Sequence, residues 1–158
     1  MTVTGLGFNG ATDVALNGTS VTYSVLNDNQ LTFTVPAGAT TGTVTVTGPL
    51  NTATSPSPFT VTAPTTALRY SGTTSVIAGQ SLAVAATLTS SGGSPIAGET
   101  VRFSLAGQTA TGTTDASGIA RASIPAPVTT GNYSVGVAFD GDATWAASSG
   151  SGSVKVTV

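Results

Sequence analysis

Asp140 and Asp142 flank Gly141, and two carboxylates one residue apart on a turn are the nearest approach to a metal site in this sequence. With backbone carbonyls they would ligate calcium, a hard cation that takes about six to eight oxygens. No further acid follows nearby to complete such a shell. The pair therefore reads first as a turn in which Asp side chains accept backbone N–H groups. Asp115, in Asp115-Ala116-Ser117-Gly118, reads the same way. Trp145 is the only tryptophan and lies in a loop rich in Ala and Ser. Its flat face would suit a pyranose ring, with Tyr70 as a second platform; the alternative is a loop anchor that buries a large apolar area. Tyr133 starts a strand after a glycine-containing corner, where a buried ring with its hydroxyl returned to backbone is expected.

Other chemistries lack their residue types. Glu99 is the only glutamate, so a glycosidase-like carboxylate pair would need an Asp from another loop, and no spacing supplies one. Glu99 and Arg102 are expected on opposite faces of one strand and hence unpaired. The chain has no Cys and no His, which excludes Cys/His zinc sites, thiol nucleophiles and Ser-His-Asp triads. Four basic residues cannot make the positive stripe that nucleic acid requires. No run of about 18 apolar residues exists, so no membrane insertion is expected. No signal peptide is visible, and the chain starts abruptly, as a mature or cut fragment would.

The elements that must hold these residues are strands. Of 158 residues, 31 are Thr, 17 Val and 4 Ile, against 18 straight-chain helix formers. β-Branched side chains fit a pleated, half-buried surface and lose rotamer freedom in helices. Val21, Tyr23 and Val25 alternate, as do Leu31, Phe33 and Val35 before Pro36. Val44 and Val46 follow, then Phe59 and Val61. Asn17-Gly18 between apolar runs is a hairpin signal. Thr62-Ala63-Pro64-Thr65 reads as a short, stiff linker, with bending there the default for small interdomain contacts. Beyond it Leu82 to Leu88, Val101 to Leu105, Ala120 to Ile124, Tyr133 to Phe139 and Val154 to Val158 repeat the period of two. No segment keeps a helical period over three turns. The expected fold is all-β: a small sandwich over residues 1–63 and a larger one over 65–158. The larger has about seven strands, the immunoglobulin-like signature. Charged residues make up 6% of the chain, far below the roughly 25% of ordinary soluble domains.

Two stretches carry family patterns. Val3-Thr4-Gly5-Leu6-Gly7-Phe8, Val14 to Thr19, Gln30 to Pro36 and Gly42 to Val46 make residues 1–61 resemble the TIG domain, an immunoglobulin-like fold. Gly5 and Gly7 allow a sharp reversal there, and Phe8 plugs the end of the sandwich. The family usually carries a further strand ahead of this stretch. The resemblance thus implies either a trimmed start or an open groove beside an unpaired edge. Thr66 to Leu68, Ile96 to Phe103, Thr114 to Ala120, Gly131 to Val135 and Phe139 to Ser148 make residues 66–158 resemble bacterial immunoglobulin-like repeats of the group-3 type, in which Tyr usually stands at Trp145. Such repeats are non-enzymatic stalks, spacers and adhesion modules of surface or secreted proteins. Some bacterial surface immunoglobulin-like domains cross-link a Lys to Asn or Asp, but no motif around Lys155 matches.

The resemblances imply a non-enzymatic, extracellular spacer or adhesion segment at a bacterial cell surface, without a resident cofactor. Two alternatives are a self-assembling filament or surface-layer subunit built by strand complementation, and a carbohydrate-binding accessory module of a secreted enzyme. The implied partners are neighbouring immunoglobulin-like domains, other copies of the chain, or cell-surface carbohydrate.

Overall fold

The computed structural model describes residues 1–158 as two compact units, Met1–Ala63 and Pro64–Val158. Unit 1 holds β1 (Thr2–Thr4), β2 (Asp13–Leu16), β3 (Thr19–Ser20), β4 (Tyr23–Asn27), β5 (Gln30–Phe33), β6 (Val44–Thr47) and β7 (Thr52–Thr54). They form one sheet in the order β1-β5-β4 and another in the order β3-β2-β6-β7. The only helical segment of the chain is a 3-10 turn, Phe8–Gly10. Asn17 and Gly18 both take positive φ, 46° and 79°, as the tight turn joining β2 to β3 requires. Gly7 reverses the chain at φ 80° and delivers Phe8, 6% exposed, into the core with Val14, Leu16, Leu31 and Phe33.

Two strand expectations change in unit 1. Val21 is not in the strand of Tyr23 and Val25. It is buried in the step between β3 and β4, where the chain crosses from one sheet to the other. Phe59 and Val61 form no strand. Phe59 exchanges backbone hydrogen bonds with Gly42 alone and sets its ring edge-on to Phe33, 6.3 Å between centroids.

Unit 2 holds β8 (Thr66–Tyr70), β9 (Ser75–Ile77), β10 (Ser81–Ser90), β11 (Thr100–Leu105), β12 (Gln108–Thr113), β13 (Ile119–Pro125), β14 (Gly131–Phe139) and β15 (Ser148–Thr157). Its sheets run β13-β10-β8 and β12-β11-β14-β15-β9. The alternating residues of β10, β11, β13 and β14 meet between them, with Phe103, Leu105, Ile124 and Val135 essentially without exposed surface. Val156 joins the buried face, but Val158 lies beyond the strand and is fully exposed.

Both sides of unit 2 are closed by close backbone approach. On one side Gly112 of β12 lies against the carbonyl of Arg121 on β13, with no room for a Cβ. On the other, the first strand divides between the sheets and runs along the last strand. β8 crosses the start of β15: a Cβ at Gly150 would stand 2.6 Å from the Leu68 carbonyl oxygen, and one at Gly152 would overlap the Tyr70 ring. The Thr66 hydroxyl lies 2.6 Å from that of Ser148. β9 then pairs parallel to the end of β15, Ser75 beside Lys155 and Ile77 beside Thr157. This explains the alternation Ser149-Gly150-Ser151-Gly152-Ser153: the serines are exposed and the glycines admit β8.

Gly152→Ala should therefore destabilise unit 2 by about 1–3 kcal/mol, the usual penalty of overpacking. Ser151→Ala, on the exposed face, should stay within about 0.5 kcal/mol of the parent. Urea unfolding followed by Trp145 fluorescence reads unit 2 alone, because the only tryptophan lies there.

Candidate functional site

Glu99, Arg102, Asp140 and Asp142 lie at one end of β11 and β14. Buried Thr114 fixes the approach to β11: its hydroxyl accepts the Glu99 N–H at 2.9 Å, and Thr114 and Glu99 also pair through Thr114 N–H, 2.9 Å. Glu99 thus precedes β11 rather than lying within it, and it shares a depression of about 270 Å3 with Arg102 and Asp140. The two side chains expected on opposite faces border one hollow, although they form no ion pair with each other. Arg102 instead pairs with Asp140, Nη2 to Oδ1 3.0 Å. The register explains it: Arg102 stands opposite Ala138, so Asp140 is its diagonal neighbour two residues on. The side chains are 52% and 79% exposed, which limits such a pair to about 1 kcal/mol or less. A second hollow of similar size continues past Arg102 over Gly136 and Ala138 to Ser149.

Asp142 points its carboxylate at its own loop. Oδ1 accepts the N–H groups of Thr144 and Trp145, each at 2.7 Å, and the Asp142 N–H donates to the Trp145 carbonyl at 2.9 Å. That closes the turn and seats Trp145 half-buried against the core of unit 2. Asp140 and Asp142 are thus both engaged by protein groups. No group of three or more Asp, Glu, His or Cys side chains is placed to hold a metal. Burial, and next the negative charge of Asp142, push the Glu99 carboxyl above its usual range.

The remaining candidates are held by backbone. Tyr70 is half-buried over Gly152, and its hydroxyl donates to the Thr73 carbonyl at 2.7 Å; burial raises its phenol above the usual range. Tyr133 is half-buried rather than buried, but its hydroxyl donates to the Thr129 carbonyl at 3.0 Å, the return to backbone its position suggested. Asp115 accepts the N–H groups of Ser117 and Ile119 at 2.8 and 3.1 Å and pairs with Arg121 at 2.6 Å. The Arg121 hydrogen bond, then those backbone donors, hold its carboxyl below the usual range. Lys155 stands opposite Asn132 in the β14–β15 register and makes no ion pair.

Unit 1 offers a different feature. β1 pairs with β5 alone. Met1 and Gly5 take part in bonds across to Phe33 and Asn29, so by the antiparallel alternation Thr2 and Thr4 direct their N–H and C=O groups to the open side. Beside that edge lies a cleft of about 220 Å3 lined by Val3, Leu6, Phe8, Val46, Ala53 and Pro56, with Leu6 83% exposed. No charged residue lines it.

Two family models match the chain. One, described as bacterial Ig-like domain (group 3), covers residues 68–158, and the other, described as IPT/TIG domain, covers residues 1–63. No curated protein matches it.

The two shifted carboxylates give opposite pH signatures. A raised carboxyl favours the protonated folded state, so its penalty appears as pH rises through the folded value. Glu99→Gln should raise the melting temperature at pH 7 and leave it unchanged near pH 3. A lowered carboxyl stabilises the fold above the ordinary carboxylate range, and that stability goes as pH falls through the folded value. Asp115→Asn should lower the melting temperature at pH 7, with the difference shrinking towards pH 2. Calorimetry of both variants across that range checks the signs.

Proposed function

The chain belongs to the bacterial immunoglobulin-like (group 3) family through residues 68–158 and carries an IPT/TIG domain in residues 1–63; from this pairing we propose that it is a non-enzymatic spacer or adhesion segment of a bacterial surface or secreted protein. The observation that carries the reading is the succession of two immunoglobulin-like units in one chain. Domains of these kinds are structural or adhesive as a rule. The residue chemistry supports the same reading. Of the acids near the unit 2 hollow, Asp140 is tied to Arg102 and Asp142 to its own loop, which leaves Glu99 as the one carboxyl there without an acidic partner to form a catalytic pair, and there is no His or Cys to act as base or nucleophile. The expected partners are neighbouring immunoglobulin-like domains. Carbohydrate stacking on Trp145 would have to use whatever part of the ring its core packing leaves open.

One observation favours a second reading. The apolar cleft beside the unpaired edge of β1 suits an extended strand, whose backbone would satisfy Thr2 and Thr4. In that reading the chain assembles by strand addition.

Antibody raised against the chain should label intact cells of the bacterium that makes it, or bind protein in its medium. Label seen only after lysis would overturn the extracellular reading. For the second reading, light scattering over a concentration series should show assembly. A monomer at every concentration would remove it.

A further inference from the structure

The two ends of unit 2 are fastened to each other along parallel strands. Pro64 accepts the Ala146 N–H at 2.9 Å, and the Thr66 and Ser148 hydroxyls meet one step later. Leu68 and Tyr70 then cover Gly150 and Gly152. The Lys155 N–H donates to Thr74 and the Ala78 N–H to Thr157, each at 2.8 Å, on either side of the parallel register from Ser75 to Ile77. The first strand, divided into β8 and β9, thus follows β15 along its length, slipping by two residues between Tyr70 beside Gly152 and Ser75 beside Lys155.

Parallel pairing of the first and last strands fixes how tension acts. A pull on Pro64 drags β8 and β9 towards their N-terminal ends, while a pull on Val158 drags β15 towards its C-terminal end. The strands must slide past each other. Hydrogen bonds between them lie across the direction of pull, so they share the load and fail together. In an antiparallel pair loaded from adjacent ends, the same bonds open one at a time. Unit 1 has no such pairing: β1 bonds β5, whereas its closing segment bonds Gly42 through Phe59 and Thr41 through Val61.

We propose that β8, β9 and β15 form a shear clamp that makes unit 2 mechanically stronger than unit 1. The clamp deepens the spacer reading and rests on it only for the source of the load. Pulling a purified chain tests the clamp, while labelling of intact cells tests the spacer, so the two can fail separately.

The test is single-molecule stretching of the whole 158-residue chain by its ends. The two unfolding steps identify themselves by length: at about 3.5 Å per residue, the 95 residues of unit 2 release roughly 330 Å and the 63 of unit 1 roughly 220 Å, less their folded spans. The longer step should need the higher force. Val76→Pro, which removes a donor from the β9 ladder, should bring it down to the force of the shorter step. A geometry needing no disruptive change is a handle at Thr130→Cys, the chain having no cysteine of its own, with the other at Val158. Gly131 stands beside Val156 in an antiparallel pair, so this pull peels β15 from β14. It should open unit 2 at lower force than the end-to-end pull. Equal forces in the two geometries, or a longer step no stronger than the shorter one, would overturn the clamp.

Discussion

Every strand at the side of a sheet leaves a row of N–H and C=O groups that must be covered, and this chain has few charges with which to keep neighbours off. Lys and Arg number 4 and Asp and Glu 6 in 158 residues. Covering the edges by the chain itself is therefore the condition on which unit 2 depends. It meets that condition with glycine. Gly112 lets β12 lie against Arg121, and Gly150 and Gly152 let β8 lie on β15. A side chain at any of the three would hold the strands apart. The same close approaches that draw the two sheets together at their sides set the first strand along the last.

Unit 1 treats its edges differently. β1 stays open on one side, next to a cleft without charge, and unit 1 contains no Lys or Arg at all. The charges that exist mostly shape loops. Asp28 accepts the N–H groups of Gly7 and Asn9, Asp115 closes the turn before β13, and Asp142 seats Trp145.

The period of two was enough to place most strands, because burying one face of a sheet forces it into the sequence: Leu82 to Leu88 and Tyr133 to Phe139 alternate without a break. It failed where strands carry no apolar face. β7 is Thr-Ala-Thr, and the first half of β15 is Ser and Gly, since the backbone of β8 supplies what fills that side. It also failed at Val21, where alternation continues through a change of sheet, and at Phe59, where a half-buried ring packs on the core without a ladder. Turn chemistry was legible at Asn17-Gly18 and Asp115 because φ and side-chain acceptors are local properties. The Arg102–Asp140 pair was not, although β11 and β14 are clear as strands; it depends on which strands are neighbours and in what register. Glu99 was misplaced by one step for the same reason: its N–H goes to the Thr114 hydroxyl, and β11 starts one residue later.

Amide hydrogen exchange of the intact chain, read residue by residue, tests the central claim most directly. If the split first strand is part of what holds unit 2 together, the amides of Ala78 and Lys155 open only with the whole unit. They should then exchange as slowly as those of Val135 and Val137 in the middle of β14. Exchange at the rate of a fraying edge, while β14 stays protected, would show that the sandwich stands without its closing strand and would contradict the account.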